Sequence, residues 1–206
     1  MDFYQGNIYH IYNQGNNQNP IFFEEKNYLF FIKKMKKRLL SHCHILAWCL
    51  MPNHYHWMVK IRDDYIREDP LQDNLRVVNP LNRVIGTLQS SYTRAINNLY
   101  ARSGSLFRSG AKAKNVNNDV TSRQNYAETC FFYIHQNPVR AGLVTKMEEW
   151  PYSSFKDYYG VRNGNLCNMP LAKELLNLPE DKEKFYEISY QTIPKHSIRK
   201  LYEINL

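Results

Sequence analysis

Two histidines stand two residues apart in the mainly apolar segment CLMPNHYHWMV, residues 49–59. Side chains at positions i and i+2 of a strand point to the same face of a sheet. His54 and His56 can therefore lie close enough to share one divalent ion. The alternative is a pair of half-buried, hydrogen-bonded histidines without a metal, which is the more common meaning of an isolated HxH pair.

The chain around the two histidines reads as a β-hairpin that turns through the Pro-Asn pair at 52–53. A two-residue turn predicts the cross-strand pairs His54–Met51, His56–Cys49, Met58–Ala47 and Lys60–Ile45. The histidine side then also carries the small residues Ala47 and Cys49, which leaves room for a ligand. The opposite side is a predicted core face with Leu46, Trp48, Leu50, Tyr55, Trp57 and Val59. Another pair, His42 and His44, points to that opposite side in this register and is assigned no role.

Hydrophobic periodicity and turn residues predict eight assignments along the chain, the hairpin included. These are a strand at 7–13, a helix at 24–41, the two strands within 43–61, a loop at 62–80, a helix at 81–101, a strand at 106–116, a helix from Thr121 or Ser122 to about Gln136, and a helix near 170–188. The order of the first six elements predicts an α+β fold, a ferredoxin-like split βαβ antiparallel sheet with helices on one side. We expect one domain at 1–144 and a C-terminal helical extension at 145–206 that packs on it.

The helix within FFYIHQNPVRAGLV supplies a candidate nucleophile and a candidate third ligand. Tyr133 and Asn137 are four residues apart and share a helix face, while His135 points away and is interpreted as a structural or supporting residue. An amide oxygen suits a hard cation such as Mg²⁺ or Mn²⁺. Asn137-Pro138 could instead only end the helix, and Tyr133 is one of 16 tyrosines, most of which must be structural. The rival on the other long helix, Tyr92, is predicted to pack against the sheet.

The composition favours an anionic partner. The formal net charge is +8 in 206 residues, which favours nucleic acid ahead of a membrane surface. The sequence has no secretory signal and no apolar run of about 20 residues, so we expect a cytoplasmic protein. Four cysteines without a CxxC pair predict reduced thiols, and the lack of a GxxxxGK[ST] loop predicts that no nucleotide cofactor is needed.

The motifs MPNHYH and, some eighty residues later, YIHQNPVRAGLV resemble the HUH-type single-tyrosine transposases, in the branch of REP-associated tyrosine transposases. The segments IYHIYNQGNNQNPIF, ILAWCLMPNHYHWMV and WPYSSFKDYYG extend the resemblance over residues 5–160. The resemblance implies that His54, His56 and Asn137 hold Mg²⁺ or Mn²⁺. It also implies that Tyr133 attacks a phosphodiester of single-stranded DNA and forms a 5′-phosphotyrosine. Tyr55 between the histidines and the loosely similar segment SLFRSGAKAKNVNNDV depart from the family pattern.

The resemblance also implies a DNA partner that is single-stranded or folded as a hairpin, handled by a nucleoid-associated monomer or homodimer. Phosphate contacts are expected from Arg108, Lys112, Lys114, Arg140, Lys33 and Lys37. The lysine-rich helix face could equally be only a solvated surface. Two alternatives remain for the activity. One is a hairpin-binding regulator without cleavage, and the other is a metal-dependent hydrolase in which water replaces Tyr133 as the nucleophile.

Overall fold

The computed structural model describes residues 1–64, 80–117 and 126–201, apart from the Lys200 side chain. Most of the loop predicted at 62–80, and the helix start predicted at Thr121 or Ser122, lie outside these ranges. The described chain contains one antiparallel sheet with the order β2-β3-β1-β4. Its strands are β1 (Ile8–Gln14), β2 (Cys43–Met51), β3 (His54–Ile61) and β4 (Lys112–Asn115). This order is that of the split βαβ arrangement, and the predicted α+β fold is confirmed.

Two long helices cover one face of the sheet. They are α1 (Glu25–Leu39) and α2 (Pro80–Leu99), and the core beneath them contains the large side chains predicted for this face, except Leu46. Leu46 lies instead in the core on the opposite face of the sheet. Tyr55, Trp57 and Phe31 are fully buried there. Tyr92 belongs to the same core, where its hydroxyl donates to the Ile21 carbonyl at 2.8 Å. The interpretation of Tyr92 as a packing residue is therefore confirmed.

A third helix, α3 (Tyr126–Arg140), covers the opposite face of the sheet. The prediction of helices on one side holds for α1 and α2 but not for α3. The small side chains of Ala47 and Cys49 explain the difference, because they let a helix approach the strands closely. The space that the sequence analysis left to a ligand is largely filled by Cys130, Phe131 and Ile134 of α3, all fully buried.

The C-terminal segment adds four short helices to the same core. They are α4 (Phe155–Tyr158), α5 (Met169–Leu176), α6 (Lys182–Ser189) and α7 (Lys195–Leu201). The single helix predicted near 170–188 is in fact α5 and α6, because Asn177 adopts a left-handed conformation at φ 50° and Asp181 caps a new helix. Phe185 packs against Phe131 of α3 and stacks on Phe155 in this core. Within the described ranges, no helix is long and apolar enough to cross a membrane.

Buried His135 predicts a loss of stability in acid. The Ser154 hydroxyl donates to the Trp48 carbonyl, so His135 Nε2–H donates to Ser154 Oγ at 2.7 Å. Burial lowers the pKa of His135 to about 3, whereas the unfolded chain has about 6.5. The unfolded state binds the proton first, so stability is lost as the pH falls from about 6.5 toward 3. Urea titrations should give an unfolding free energy about 2–3 kcal/mol lower at about pH 4.5 than at about pH 7 from this residue. A His135→Gln variant with the same pH dependence as the wild type would contradict this assignment.

Candidate active site

His54 and His56 lie on the face of the sheet that α3 covers, which we call the histidine face. The register Met51–His54, Cys49–His56 and Ala47–Met58 is observed as predicted. The two imidazole centroids are 5.0 Å apart. His54 is half-buried and His56 is 2% exposed, so the pair has one ring near the surface and one beneath it.

The predicted pair Lys60–Ile45 is wrong. A β-bulge between Ile45 and Ala47 shifts the register, so that Lys60 faces His44. One extra residue reverses which side chains face which side of a strand. His44 therefore shares the histidine face, contrary to the prediction, but it lies at the far end of the hairpin. There its ring accepts a hydrogen bond from the Asn168 side chain at 3.3 Å.

His10 of β1 is a site residue that the sequence analysis missed. Its Nε2 lies 3.0 Å from Nδ1 of His56, and its Nδ1 lies 3.3 Å from the carbonyl oxygen of Leu201 in α7. A carbonyl only accepts, so His10 Nδ1 carries a proton. His10 is fully buried, where a charged imidazolium is costly, so its Nε2 is the accepting atom. His56 then donates from Nδ1 and has its lone pair on Nε2, the arrangement that second-sphere partners impose on metal-binding histidines.

Burial keeps these three rings neutral at neutral pH. It lowers the pKa of His10 to about 4 and that of His54 to about 4. The pKa of His56 is well below its usual range because of burial first, and then because of the neighbouring His54 and His10. His54 is oriented by its own neighbour, since its Nδ1 lies 2.6 Å from Oδ1 of Asn53. Neutral imidazole is the form that binds a metal ion.

Tyr133 stands against the histidine pair from α3. Its ring meets the His56 ring edge-on, with centroids 5.9 Å apart, and its side chain is 7% exposed. The guanidinium carbon of Arg140 lies 5.9 Å from the centre of the Tyr133 ring. A second tyrosine, Tyr12 of β1, also lies beside His56 with a centroid distance of 6.0 Å, and the sequence analysis did not consider it. The structure thus places Tyr133 beside the histidine pair, as predicted, and places Tyr12 there as a second candidate nucleophile.

Asn137 lies one turn after Tyr133, and its side-chain amide donates to the Tyr133 carbonyl at 2.8 Å. The prediction that Asn137-Pro138 ends the helix is wrong, because α3 continues through Pro138 to Arg140. Proline removes only one hydrogen bond, which a last turn tolerates. The helix ends in a Schellman motif instead, with Gly142 at φ 69° and the Leu143 amide donating to the Pro138 carbonyl.

The described residues fit a divalent cation only in part. None of them form a group of three or more His, Cys, Asp or Glu side chains that could hold a metal ion. The neutral His54 and His56 could provide two nitrogens, and the Asn137 amide could provide an oxygen next to Tyr133. Two or three protein ligands leave positions for water or for phosphate oxygens, as in catalytic sites with open coordination.

The basic residues singled out from the sequence fall on two sides of the sheet. Lys112 and Lys114 of β4 pair with Tyr12 and His10, so they share the histidine face. Arg140 lies beside Tyr133, and Arg108 lies on the loop before β4. Lys33 and Lys37 are exposed on α1, across the sheet from the histidines. The structure therefore brings Lys112, Lys114 and Arg140 to the site, and Lys33 and Lys37 do not join it.

Fold and site together define an α+β protein whose split βαβ sheet presents a histidine pair to a tyrosine on a covering helix. No protein-family model and no curated protein matches the sequence. Among solved structures, the chain is similar to that of a REP-associated tyrosine transposase bound to a REP hairpin. The similarity has a TM-score of 0.54 and 16% identity, and it covers 88% of this chain and 90% of that chain. The fold expected from the sequence resemblance is thereby confirmed.

Proposed function

We propose that this protein is a DNA transposase-like enzyme that cleaves and rejoins single-stranded, hairpin-associated DNA through a 5′-phosphotyrosine. One observation carries the proposal. Tyr133 lies 5.9 Å, ring to ring, from His56 of the histidine pair, although 76 residues of sequence separate the two. The fold shared with a transposase bound to a DNA hairpin supports the same conclusion. So does the net charge of +8.

In this proposal Tyr133 acts as the nucleophile. Its phenol oxygen bonds to phosphorus while the bond from phosphorus to the 3′ oxygen breaks. The phenol gives up one proton and the departing 3′ oxygen takes one up, so neither water nor a nucleotide is consumed. The product retains a phosphoester on Tyr133, which the 3′-hydroxyl of another end can attack to rejoin the strands.

Arg140 and the histidines prepare this step. A free phenol has a pKa of about 10 and is a weak nucleophile, so charge at its oxygen must be stabilised. Arg140 places a cation beside the Tyr133 ring, where it favours negative charge on the phenol and on a phosphate. We propose that His54, His56 and Asn137 bind Mg²⁺ or Mn²⁺. A bound divalent cation would offset the charge of the scissile phosphate.

The proposal is tested by trapping the covalent intermediate. Stem-loop oligonucleotides from the flanks of the protein's own gene are incubated with protein and Mn²⁺, and the products are run on a denaturing gel. We expect a protein–DNA band that EDTA prevents. Cleaved DNA without such a band would favour the hydrolase, and binding without cleavage of any flank would favour the regulator.

The tyrosine is expected to serve its own chain, because Tyr133 and His56 already meet within one molecule. A Tyr133→Phe protein and a His54→Ala/His56→Ala protein should each fail to form the adduct, and their mixture should fail as well. Exchange of tyrosine helices between two copies would restore adduct in the mixture. Co-expression of the two variants excludes slow subunit exchange as the reason for a negative result.

His10 is expected to strengthen metal binding through His56. Loss of a second-sphere partner of a ligating histidine typically costs 10–100-fold in metal affinity. We therefore expect His10→Leu to weaken Mn²⁺ binding by about 10–100-fold in calorimetric titrations. His10→Gln, whose side-chain oxygen can still accept from His56 Nδ1–H, should recover part of this loss. Equal affinity in His10→Leu and wild type would show that His10 does not position His56.

A further inference from the structure

A cleft of about 590 Å³ opens between α2 and the loop at 105–110, on the side of the sheet away from the histidine face. We call it the arginine cleft, because Arg94, Arg102 and Arg108 line it. Neutral hydrogen-bonding side chains fill in between them, namely Ser90, Thr93, Asn98 and Ser109. No Asp or Glu is found among the described residues that line it. Guanidinium groups with neutral donors and no carboxylates are the lining that phosphate groups require.

The walls of the arginine cleft are held in place by the fold. Positive φ values at Ala101 and Gly104 turn the chain back along α2 after the helix ends. The returning loop is tied to the end of β1, since the Arg108 amide donates to the Gln14 carbonyl at 2.8 Å. Phe107, which is 4% exposed, anchors the loop in the core between Tyr92 and Phe31. The arginines therefore line a groove whose walls the fold holds in place, and the guanidinium carbon of Arg102 lies 5.1 Å from the centre of the Phe23 ring.

The arginine cleft adjoins the candidate active site at the end of β1. Gln14, whose carbonyl holds Arg108, is the cross-strand partner of His54. On the edge strand β4, Lys112 pairs with Tyr12 on the histidine face. Basic side chains thus pass from the histidine face, around the β4 edge of the sheet, to the loop of the cleft. A strand that has a phosphate at His54 needs only to round this edge to reach Arg108.

We propose that the arginine cleft binds the sugar–phosphate backbone of the single-stranded DNA that continues from the candidate active site. This inference rests on the proposed function and adds a second contact region to it. The cleft volume of about 590 Å³ favours a single strand over a duplex. The neutral lining and the buried Phe107 favour contacts to phosphate and not to bases. The cleft is therefore expected to position DNA without selecting its sequence.

The test compares two fluorescein-labelled stem-loop oligonucleotides, one with a single-stranded arm (the armed probe) and one without it (the armless probe). Binding of each probe is measured by fluorescence anisotropy at several salt concentrations. Arg94→Gln/Arg102→Gln should weaken binding of the armed probe on the order of tenfold and lower its salt slope by about 1.4. Binding of the armless probe should not change. Arg94→Lys/Arg102→Lys keeps the charge and should keep the slope.

Lys182→Gln/Lys184→Gln is the matched control, because it removes the same charge from exposed positions on α6. Thermal melting of all variants confirms that they are folded. Two results would contradict the inference: the Arg94→Gln/Arg102→Gln variant binds the armed probe as tightly as the wild type, or it binds no more weakly than the control variant does. Either result would show that the arginine cleft does not bind the strand, and the proposed function would stand. If the wild-type protein binds neither probe, the proposed function itself fails.

Discussion

Tyr133→Phe should abolish the protein–DNA adduct while leaving DNA binding unchanged. The substitution removes one oxygen and retains the ring that packs edge-on against His56. Removing a covalent nucleophile costs several orders of magnitude, so we expect the rate of adduct formation to fall by at least about 1,000-fold. The measurement is a time course on denaturing gels, with binding followed separately by fluorescence anisotropy.

Tyr12→Phe is the matched control for that experiment. Tyr12 also lies beside His56, with a ring distance of 6.0 Å compared with 5.9 Å for Tyr133. Tyr133 is the tyrosine that α3 brings to the histidine pair, and the Arg140 guanidinium carbon lies 5.9 Å from the centre of its ring. We therefore expect Tyr12→Phe to keep most of the adduct rate. If Tyr12→Phe abolished the adduct and Tyr133→Phe did not, Tyr12 of β1 would be the nucleophile in place of Tyr133.

His56→Asn should remove both metal binding and adduct formation. His56 is the buried member of the pair, and its ring is oriented by His10. Losing a second-sphere partner costs 10–100-fold in affinity, so losing the ligand itself should cost at least about 100-fold. Calorimetric titration with Mn²⁺ measures the affinity, and the denaturing gel measures the adduct. The adduct should reappear in part at high Mn²⁺ concentration.

His44→Asn serves as the control for that variant. His44 lies on the same face of the sheet but at the far end of the hairpin, where it bonds to Asn168. Its replacement should leave Mn²⁺ affinity unchanged. Mn²⁺ binding that survives in His56→Asn would contradict the assignment of His56 as a ligand, and the histidine pair would then be structural.

Local patterns were sufficient to predict the histidine pair and its surroundings. Alternation in the strands and the Pro-Asn turn fix which residues oppose His54 and His56, and the structure has those pairs. The same reasoning fails beyond the bulge at Leu46, because an inserted residue has no signal in the alternation. It also fails at Pro138, where the tertiary packing of α3 and the Gly142 motif outweigh the tendency of proline to end a helix.

The missed parts of the site depend on contacts between distant segments. His10 stands in the same alternation as Tyr12, so its face was predictable, but its bond to His56 requires the β1–β3 register. Its second bond requires α7, 191 residues away. The arginine cleft likewise joins α2 to a loop that was predicted as part of a strand at 106–116. Patterns within a short stretch of sequence do not predict contacts between segments so far apart in the chain.

The central claim is that Tyr133 becomes covalently joined to DNA, and peptide mapping of the trapped adduct tests it most directly. The adduct is isolated from a denaturing gel, treated with nuclease and protease, and analysed by mass spectrometry. We expect a nucleotide on the peptide that contains Tyr133. A nucleotide on the peptide that contains Tyr12, or cleaved DNA with no modified peptide at all, would contradict the account.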